Sequence, residues 1–495
     1  MHRSKERSQN DLPNSRIEER FWAGLTIAVS ALVVIDRLSV IYRSTLDYVL
    51  DDSFMSFVYA RNFAEGRGLV FNLGEHIYGF TSPLYVLLLS FLPALGLEQT
   101  YFAPVINLCL PIVYGVIWFY IGTSFFNLPC RFLLGVIAAI MPFEIGMESS
   151  LLLLLQSLFI WCVIEKKAVP AAIVASLSCL ARPDSILLVI PILFMTRIAF
   201  NRKAFLFFSV PGIVWVLFTL FYYGDVLPNS FYGKEGQTPF LPGLSQIVGT
   251  MVDWSTFVPS INDFSFFRKL NLMVGLFPLA FLFFPKNGER PRWLFYALVA
   301  YPWVLVFSYA YIGPPLAHNW EQISAFFFFR VGCAFGAFTL WKLISEHLPL
   351  QSKKMRYAVG AFSFFIFFWV GPRHVYRIEQ SVFLDRKISY YVGHRQQTYF
   401  KISQWLNENV NPNWRIAMGE PGTIAYFTRM PVLDLGWLVS RKKDLPTSRA
   451  MLPELALLVG NPEVQQLFGL NADYKRLRHF EKNHGIEFTV MKRVD

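Results

Sequence analysis

Residues 21–62 combine a long apolar run with an acidic pair that follows it closely. They read FWAGLTIAVSALVVIDRLSVIYRSTLDYVLDDSFMSFVYARN. The apolar part, Phe21 to Tyr42, is long enough to cross a membrane as a helix, and it has no convincing small-residue cleavage site. We therefore expect an uncleaved first helix after a cytoplasmic leader of residues 1–20, with Asp51 and Asp52 just beyond its far end.

The composition argues against an ordinary soluble enzyme. Hydrophobic residues make up 54% and charged residues 16% of the 495 positions, whereas soluble domains carry roughly 25% charged residues. The net charge of +11 comes from short Lys and Arg clusters between apolar runs, a pattern typical of the positive-inside rule and not of a nucleic-acid partner. The five cysteines form no CxxC pair and lie in or beside apolar runs, which favours packing over metal or redox roles.

Further apolar runs follow the first one, and clusters of Lys and Arg recur after every second run. The runs lie near residues 102–126, 132–144, 150–164, 168–181, 185–200, 204–222, 269–285, 293–312, 322–345 and 356–371. With the basic clusters in the cytoplasm, the sequence predicts a polytopic α-helical membrane domain at 21–371 with eleven spans, its amino terminus inside and its carboxyl terminus outside. The run from Ser82 to Leu97 breaks this parity and is interpreted as a re-entrant or interfacial helix.

Three regions are expected on the extracytoplasmic side: the loop 45–101, the loop 223–268 and the polar segment 372–495. The sequence pattern of the last segment, 372–495, predicts a small α/β domain. It has an amphipathic helical pattern from Tyr399 to Val410, and its strand candidates are Arg415 to Met418, Pro431 to Asp434 and Glu487 to Val494.

The acidic pair after the first helix is a candidate general base. Two adjacent carboxylates repel each other, so the pKa of one should rise if it is partly buried, and a raised pKa suits proton abstraction. Phe54, Phe57 and Tyr59 can line one side of a short helix that holds the pair above the bilayer. A helix cap or a solvated helix end is the alternative reading of such a pair.

Several short motifs occur in a fixed order along the first half of the chain. They are DDSF at 51–54, YARN at 59–62, EGRGLVFN at 65–72, GFTSPL at 79–84, GMES at 146–149, RPD at 182–184 and YGDVLPNSFY at 223–232. This set resembles the GT-C class of polyprenyl-phosphate-sugar glycosyltransferases, and most of all the terminal arabinofuranosyltransferases of mycobacterial cell-wall synthesis. The resemblance departs at Val58, where the family usually has Arg, and at Ser82, where it often has Asn, so the donor sugar is left open.

The resemblance implies that a sugar moves from a polyprenyl phosphate, at the outer membrane surface, to a glycan or glycolipid acceptor of the cell envelope. Inversion at the anomeric carbon then needs one base, for which Asp51 is preferred and Asp52 is the close alternative. Cations are needed for the departing phosphate, and the candidates are Arg182, Lys234, Arg330 and Arg61. Candidates for binding or positioning the acceptor are Glu148, Asp184, Tyr223, Asp225, Asn229 and His318.

Each of these assignments competes with a structural role. Arg182-Pro183-Asp184 fits a turn closed by an ion pair, Lys234 fits an exposed loop, and His318 lies beside a tryptophan typical of an interfacial belt. The histidines lack the spacing of a metal site, so no metal is assigned, and a divalent cation held by carboxylates is the cofactor that stays open. A multi-pass transporter and a non-catalytic polysaccharide assembly protein are the alternative functions; repeated halves would favour the transporter.

The membrane orientation can be tested with fusions. Alkaline phosphatase, which folds only outside the cytoplasm, should be active when fused after Gly371, because Lys353, Lys354 and Arg356 hold the start of the last predicted span inside the cell. The matched fusion after Lys167 should be inactive. Phosphatase activity measured in intact cells decides the point, and the reverse pattern would overturn the predicted topology.

Overall fold

The computed structural model is a bundle of apolar helices that carries an α/β domain at one end. It describes residues 12–43, 49–140, 145–234, 239–242, 244, 248, 291–312, 323–347, 386–436, 438–440, 454–459, 474–483 and 486–493. Four helices in these ranges are long and apolar enough to cross a membrane, and they contain residues 99–124, 202–223, 292–312 and 323–342. The chain is a multi-pass membrane protein.

The helices of the amino-terminal part follow the apolar runs of the sequence. They are α1 (Leu12–Arg43), α2 (Asp51–Ala64), α3 (Pro83–Ala94), α4 (Gln99–Ile121), α5 (Leu128–Ala139), α6 (Ser149–Ile164), α7 (Ala168–Ala181), α8 (Ile186–Met195), α9 (Arg202–Tyr223), α10 (Asn229–Lys234), α11 (Arg292–Ile312, with one π turn) and α12 (Ile323–His347). The helix α3 has 12 residues, too few for a span of roughly 20, and it packs against α2. The predicted runs 269–285 and 356–371 lie outside the described residues, so the count of eleven spans stays a prediction.

Two ion pairs join helix ends that the predicted topology places on the same membrane face. Glu19 of α1 and Arg131 of α5, both expected on the cytoplasmic side, form an ion pair with 2.5 Å between Oε1 and a guanidinium nitrogen. Glu148 and Arg182, both expected on the other side, lie together at the opposite end of their helices. Pairs predicted to share a membrane face therefore do share an end of the bundle.

Close backbone contact holds α1, α4 and α5 together. A Cβ atom added to Gly135 would lie 2.7 Å from the carbonyl oxygen of Gly115 and 2.8 Å from Cγ2 of Thr26. Small residues at helix crossings are the usual device for tight packing in a membrane, where apolar side chains gain little by leaving lipid. These two glycines set the spacing between α4 and α5.

A second hydrophobic core joins the loop 45–101 to the C-terminal domain. Phe54 and Phe57 of α2 pack edge-to-face against Tyr426 at centroid distances of 5.6 and 6.0 Å, and all three belong to one buried cluster. Phe54 and Phe57 thus face the C-terminal domain, whereas Tyr59, expected on the same side of α2, packs against Phe71 and Phe80.

The described part of the C-terminal segment contains both helices and strands. Its elements are α13 (Arg386–Asn409), β1 (Ile416–Met418), α14 (Gly422–Thr428), β2 (Val432–Asp434), β3 (Leu455–Val459), β4 (Tyr474–Asn483) and β5 (Ile486–Arg493). The sheet order is β2-β1-β3-β5-β4, with β1 parallel to β2 and β3 and β5 antiparallel to β3 and β4. The helix α14, between β1 and β2, packs against α2.

The glycine contact between α4 and α5 predicts a sharp difference between two glycine-to-alanine variants. Gly135→Ala should lower stability by about 1–3 kcal/mol because the new methyl group overlaps α4. Gly212→Ala is the matched control, since nothing lies within 4 Å of a Cβ atom there and α9 is mostly exposed. Thermal unfolding in detergent should show a lower Tm for the first variant alone; equal Tm values would contradict the packing argument.

Candidate active site at the end of the helical bundle

A cavity of about 470 Å³ opens where α2, the α6 amino terminus, α11 and the C-terminal domain meet. Five polar or charged lining side chains, which we call the polar wall, are Asp52, Glu148, Arg182, Asp184 and Tyr309. The apolar lining side chains, which we call the apolar wall, include Leu187, Leu227, Phe231, Leu305, Ile312 and Leu438. A cavity of this kind can hold a ligand that has both a charged and a hydrocarbon part.

Arg182 is buried between two carboxylates on the polar wall. Its guanidinium lies 2.7 Å from Oε1 of Glu148 and 3.2 Å from Oδ2 of Asp184. The Tyr309 hydroxyl accepts a hydrogen bond from Arg182 at 2.8 Å and donates one to Asp184 at 2.7 Å. The ion pair expected for the Arg182-Pro183-Asp184 turn is present, and Pro183 begins a short 3-10 turn, Pro183–Ser185.

Two buried polar side chains hold the turn that presents Glu148. Asn107, in the middle of α4, accepts a hydrogen bond from the Gly146 amide at 2.9 Å and donates to the carbonyl of Met147 at 3.1 Å. Tyr85 of α3 donates to the carbonyl of Gly146 at 2.8 Å. Gly146 has a φ of +84°, which favours glycine, so the motif at 146–149 forms a rigid turn.

The two aspartates of the acidic pair face different regions. Asp52, half-buried, lines the cavity. Asp51 is 5% exposed and accepts hydrogen bonds from the Gly422 and Thr423 amides, both at 2.8 Å, and from the Thr423 hydroxyl at 2.7 Å. Burial raises the pKa of Asp51, opposed by these donors and aided by the nearby charge of Asp52. One carboxyl of the pair thus has a raised pKa, as expected, but it is the one turned away from the cavity.

Arg61 contacts the C-terminal domain, and its expected role as a phosphate ligand stays a prediction. Its guanidinium donates to the carbonyl of Tyr426 at 2.5 Å and lies 4.9 Å from the centre of the Tyr426 ring. Burial lowers the pKa of this guanidinium, and Arg61 is absent from the described lining of the cavity.

Tyr223, Asn229 and Asp225 hold the loops around the cavity. Tyr223 donates to the carbonyl of Leu69 at 2.7 Å and stacks on Tyr78 at 5.1 Å. Asn229 donates to the carbonyl of Ser440 at 2.8 Å, and Asp225 accepts from the Leu227 amide at 3.3 Å. In the part of the chain that the structure describes, none of the three lines the cavity, although their neighbours Leu227, Pro228, Ser230 and Phe231 do.

The remaining predicted residues, Lys234, Arg330 and His318, are not among the described lining residues of the cavity. Lys234 ends α10, the helix whose Ser230 and Phe231 line the cavity. Arg330 is 3% exposed inside α12, directly after the Phe326–Phe329 run, and is not among the described lining residues. His318 lies outside the described residues, and no group of three side chains suited to a metal ion occurs within them.

A loop of the C-terminal domain reaches the cavity through Leu438. Asp434, fully buried, accepts hydrogen bonds from the Gly436, Leu438 and Val439 amides at 2.7–2.9 Å. Burial raises the pKa of Asp434 to about 6, although these three donors lower it. The carboxyl group of Asp434 therefore fixes the loop that closes one side of the cavity.

Sequence reasoning missed Asn107, Tyr309 and Thr423. Asn107 and Tyr309 each lie within an apolar run, and an amide inside a span is itself a signal for a buried contact. Thr423 follows the Gly419-Glu420-Pro421-Gly422 turn and has no such signal, since its partner is 372 positions away in the chain.

Known proteins share this fold and part of this sequence. The ArnT of Cupriavidus metallidurans, in a crystal structure with undecaprenyl phosphate, has a TM-score of 0.55 at 10% identity, covering 95% of this chain and 98% of ArnT. The oligosaccharyltransferase of Archaeoglobus fulgidus in its apo form has a TM-score of 0.50 at 10% identity, covering 90% of this chain and 70% of that chain. The fold is that of the GT-C class, which confirms the class indicated by the ordered motifs.

Two matches concern parts of the chain. An alpha-(1->3)-arabinofuranosyltransferase of Corynebacterium glutamicum is 26% identical over 214 residues. This alignment covers 37% of the chain and 46% of the relative, less than half of the relative's length. Residues 386–490 match a family described as a domain of unknown function, DUF8728. The chain is thus similar to an arabinofuranosyltransferase over a limited region, and its C-terminal part matches the DUF8728 model.

The raised pKa of Asp434 predicts a pH-dependent effect of its substitution. The pKa of Asp434 is about 6 in the folded protein, against the ordinary value of 3.8. Its protonated form therefore stabilises the fold fully below pH 3.8, and this contribution is lost as the pH rises through 6. Asp434→Asn lacks this titration. The difference in the free energy of unfolding between wild type and variant should therefore be greater at pH 4 than at pH 7, by up to about 3 kcal/mol. Thermal unfolding of both proteins across this range checks the sign, and a constant difference would contradict it.

Proposed function

We propose that this chain is an inverting membrane glycosyltransferase that moves a sugar from a polyprenyl phosphate to a glycan or glycolipid of the cell envelope. The observation that carries this proposal is the cavity whose lining combines Asp52 and the Arg182 ion-pair cluster with many apolar side chains. A lipid-linked sugar phosphate has one charged part and one hydrocarbon part, which matches the polar and apolar walls. On the predicted topology, the site faces the extracytoplasmic side of the inner membrane.

Asp52 is the better candidate for the general base. A base must reach the proton that it removes, and Asp52 lines the cavity while Asp51 is occupied by three hydrogen bonds from the C-terminal domain. Asp52 lies in the first turn of α2, where the helix dipole favours a carboxylate. The preference among the acidic pair therefore moves from Asp51 to Asp52.

The proposed reaction is a single displacement at the anomeric carbon. The acceptor hydroxyl loses its proton to the Asp52 carboxylate as its oxygen forms a bond to that carbon. The bond between the carbon and the phosphate oxygen breaks, and the polyprenyl phosphate leaves with the electron pair. No oxidant or reductant is needed, and the configuration at the carbon inverts.

The charge in the cavity limits where the donor phosphate can bind. Asp52, Glu148 and Asp184 place three carboxylates against the one guanidinium of Arg182, the single Lys or Arg side chain among the described lining residues. A phosphate therefore needs a further positive charge. We assign it to Lys234, at the end of the helix that borders the cavity, with a divalent cation as the other source.

The sugar that we propose is arabinofuranose. The support is the partial similarity to the Corynebacterium glutamicum arabinofuranosyltransferase together with the motifs of the loop 45–101. ArnT, which has this fold, was crystallised with undecaprenyl phosphate, and this favours a polyprenyl phosphate as the carrier.

The test measures sugar transfer by the purified protein. The donors are a panel of polyprenyl-phosphate pentoses and hexoses, each tried with and without added Mg²⁺. Transfer of arabinofuranose is expected, and Asp52→Asn should reduce kcat by about 10²–10⁴-fold because the base is lost. Glu65→Gln is the matched control, since it neutralises an exposed acid at the other end of α2, and it should retain activity.

Two outcomes would overturn the proposal. One is an Asp52→Asn variant as active as the wild type, which would remove the base from the mechanism. The other is the absence of transfer from every donor in the panel by a protein that is shown to be folded, which would remove the activity.

A further inference from the structure

The first turn of α2 is held by the C-terminal domain through Asp51, which is not among the described lining residues of the cavity. The Asp51 carboxylate accepts the amides of Gly422 and Thr423, the first two residues of α14. The Thr423 hydroxyl adds a third hydrogen bond at 2.7 Å. Asp51 is 5% exposed and Thr423 is fully buried, so these bonds form away from water, where they are stronger.

A buried amide completes this contact. The Thr423 hydroxyl also contacts the side-chain amide of Gln396, on α13. The partner atom is Oε1 of Gln396, which accepts, so the one hydroxyl proton of Thr423 is shared between Gln396 and Asp51. The chain of contacts therefore runs from α13 through Thr423 to Asp51.

The backbone at Gly422 leaves no room for a side chain. A Cβ atom there would overlap the carbonyl oxygen of Asp51 and lie 2.9 Å from its Oδ2. The backbone of α14 thus rests directly on the backbone of α2, and glycine is required for this approach.

Neighbouring residues of a helix point about 100° apart around its axis. When the Asp51 side chain is fixed on one side, the direction of the Asp52 side chain is fixed as well, toward the cavity. We infer that Asp51, Thr423 and Gly422 are positioning residues that hold Asp52 in its reactive orientation. This inference rests on the proposed function, and it assigns a role to the domain of unknown function: its α14 sets the geometry of the base.

The inference differs from simple attachment of the domain, because the same interface has a second contact far from Asp52. Arg429, just after α14, forms two hydrogen bonds to Glu65, just after α2, at 3.1 and 2.9 Å. Attachment depends on both ends of the interface, whereas positioning of Asp52 depends on the Asp51 end alone. Variants at the two ends therefore separate the two roles.

The experiment compares Thr423→Val, Thr423→Ser and Arg429→Gln in the full-length protein. Thr423→Val removes the hydroxyl and keeps the shape, and it should lower kcat about tenfold with little change in KM, since misplacement of a reacting group costs rate. Thr423→Ser restores the hydroxyl and should restore kcat. Arg429→Gln should leave kcat unchanged, and Tm values measured for all three show whether stability accounts for any loss.

Gly422→Ala adds a second line of test. It should lower kcat by about a hundredfold, because the methyl group pushes α14 away from Asp51. Amide hydrogen exchange of residues 51–58 should become faster in Thr423→Val and Gly422→Ala than in Arg429→Gln, and this measurement does not depend on knowing the sugar. If the glycine variant does not fold, the two Thr423 variants decide the question.

The outcomes distinguish this inference from the proposed function. An inactive Asp52→Asn variant together with wild-type kcat and wild-type exchange in Thr423→Val overturns the positioning role and leaves the proposed reaction intact. Equal losses of kcat in Thr423→Val and Arg429→Gln that track Tm also overturn it, since attachment then explains both. Faster exchange at 51–58 with loss of kcat, rescued by Thr423→Ser, supports it.

Discussion

The buried carboxylate of Asp51 is the point on which the arrangement of the site depends. A carboxylate removed from water is costly unless hydrogen-bond donors surround it, and here the donors are supplied by a domain that begins more than 300 residues later in the chain. The contact therefore couples the folding of the two regions. The aromatic cluster of Phe54, Phe57 and Tyr426 adds apolar area to the same interface, and the hydrogen bonds of Asp51 add directional contacts.

The polar wall of the cavity is built on a similar principle. Arg182 neutralises part of the charge of Glu148 and Asp184, and Tyr309 bridges the guanidinium and one carboxylate. Such a cluster is rigid, because each member loses a partner if another moves. The excess of carboxylates over cations in this cavity means that a negatively charged ligand must arrive with, or meet, additional positive charge.

The helical part of the fold was accessible from the sequence because apolar runs and charge clusters report directly on a membrane environment. The bounds of α6 and α7 agree closely with the predicted runs at 150–164 and 168–181. In the C-terminal domain, β1 and β2 were also predicted, but β3 and β4 were not. The sequence LALLV of β3 does not alternate, and β4 is rich in charge, so neither has the period of two that marks a strand.

The site was only partly accessible from the sequence. The ordered motifs marked Asp52, Glu148, Arg182 and Asp184, which the fold brings together. The difference between Asp51 and Asp52 could not be predicted, because adjacent residues of one helix are distinguished only by what packs around them. The same reason explains Arg61, whose partner Tyr426 is remote in the chain and has no recognisable pattern.

The absence of space at Gly422 has a consequence for how such chains can be recombined. A C-terminal domain transplanted from another protein of this fold would dock on α2 only if it presented a bare backbone at the equivalent point. Any larger residue would hold the two halves apart by the width of a methyl group. The compatibility of a hybrid would thus be decided by a single missing carbon atom, however similar the remaining surfaces were.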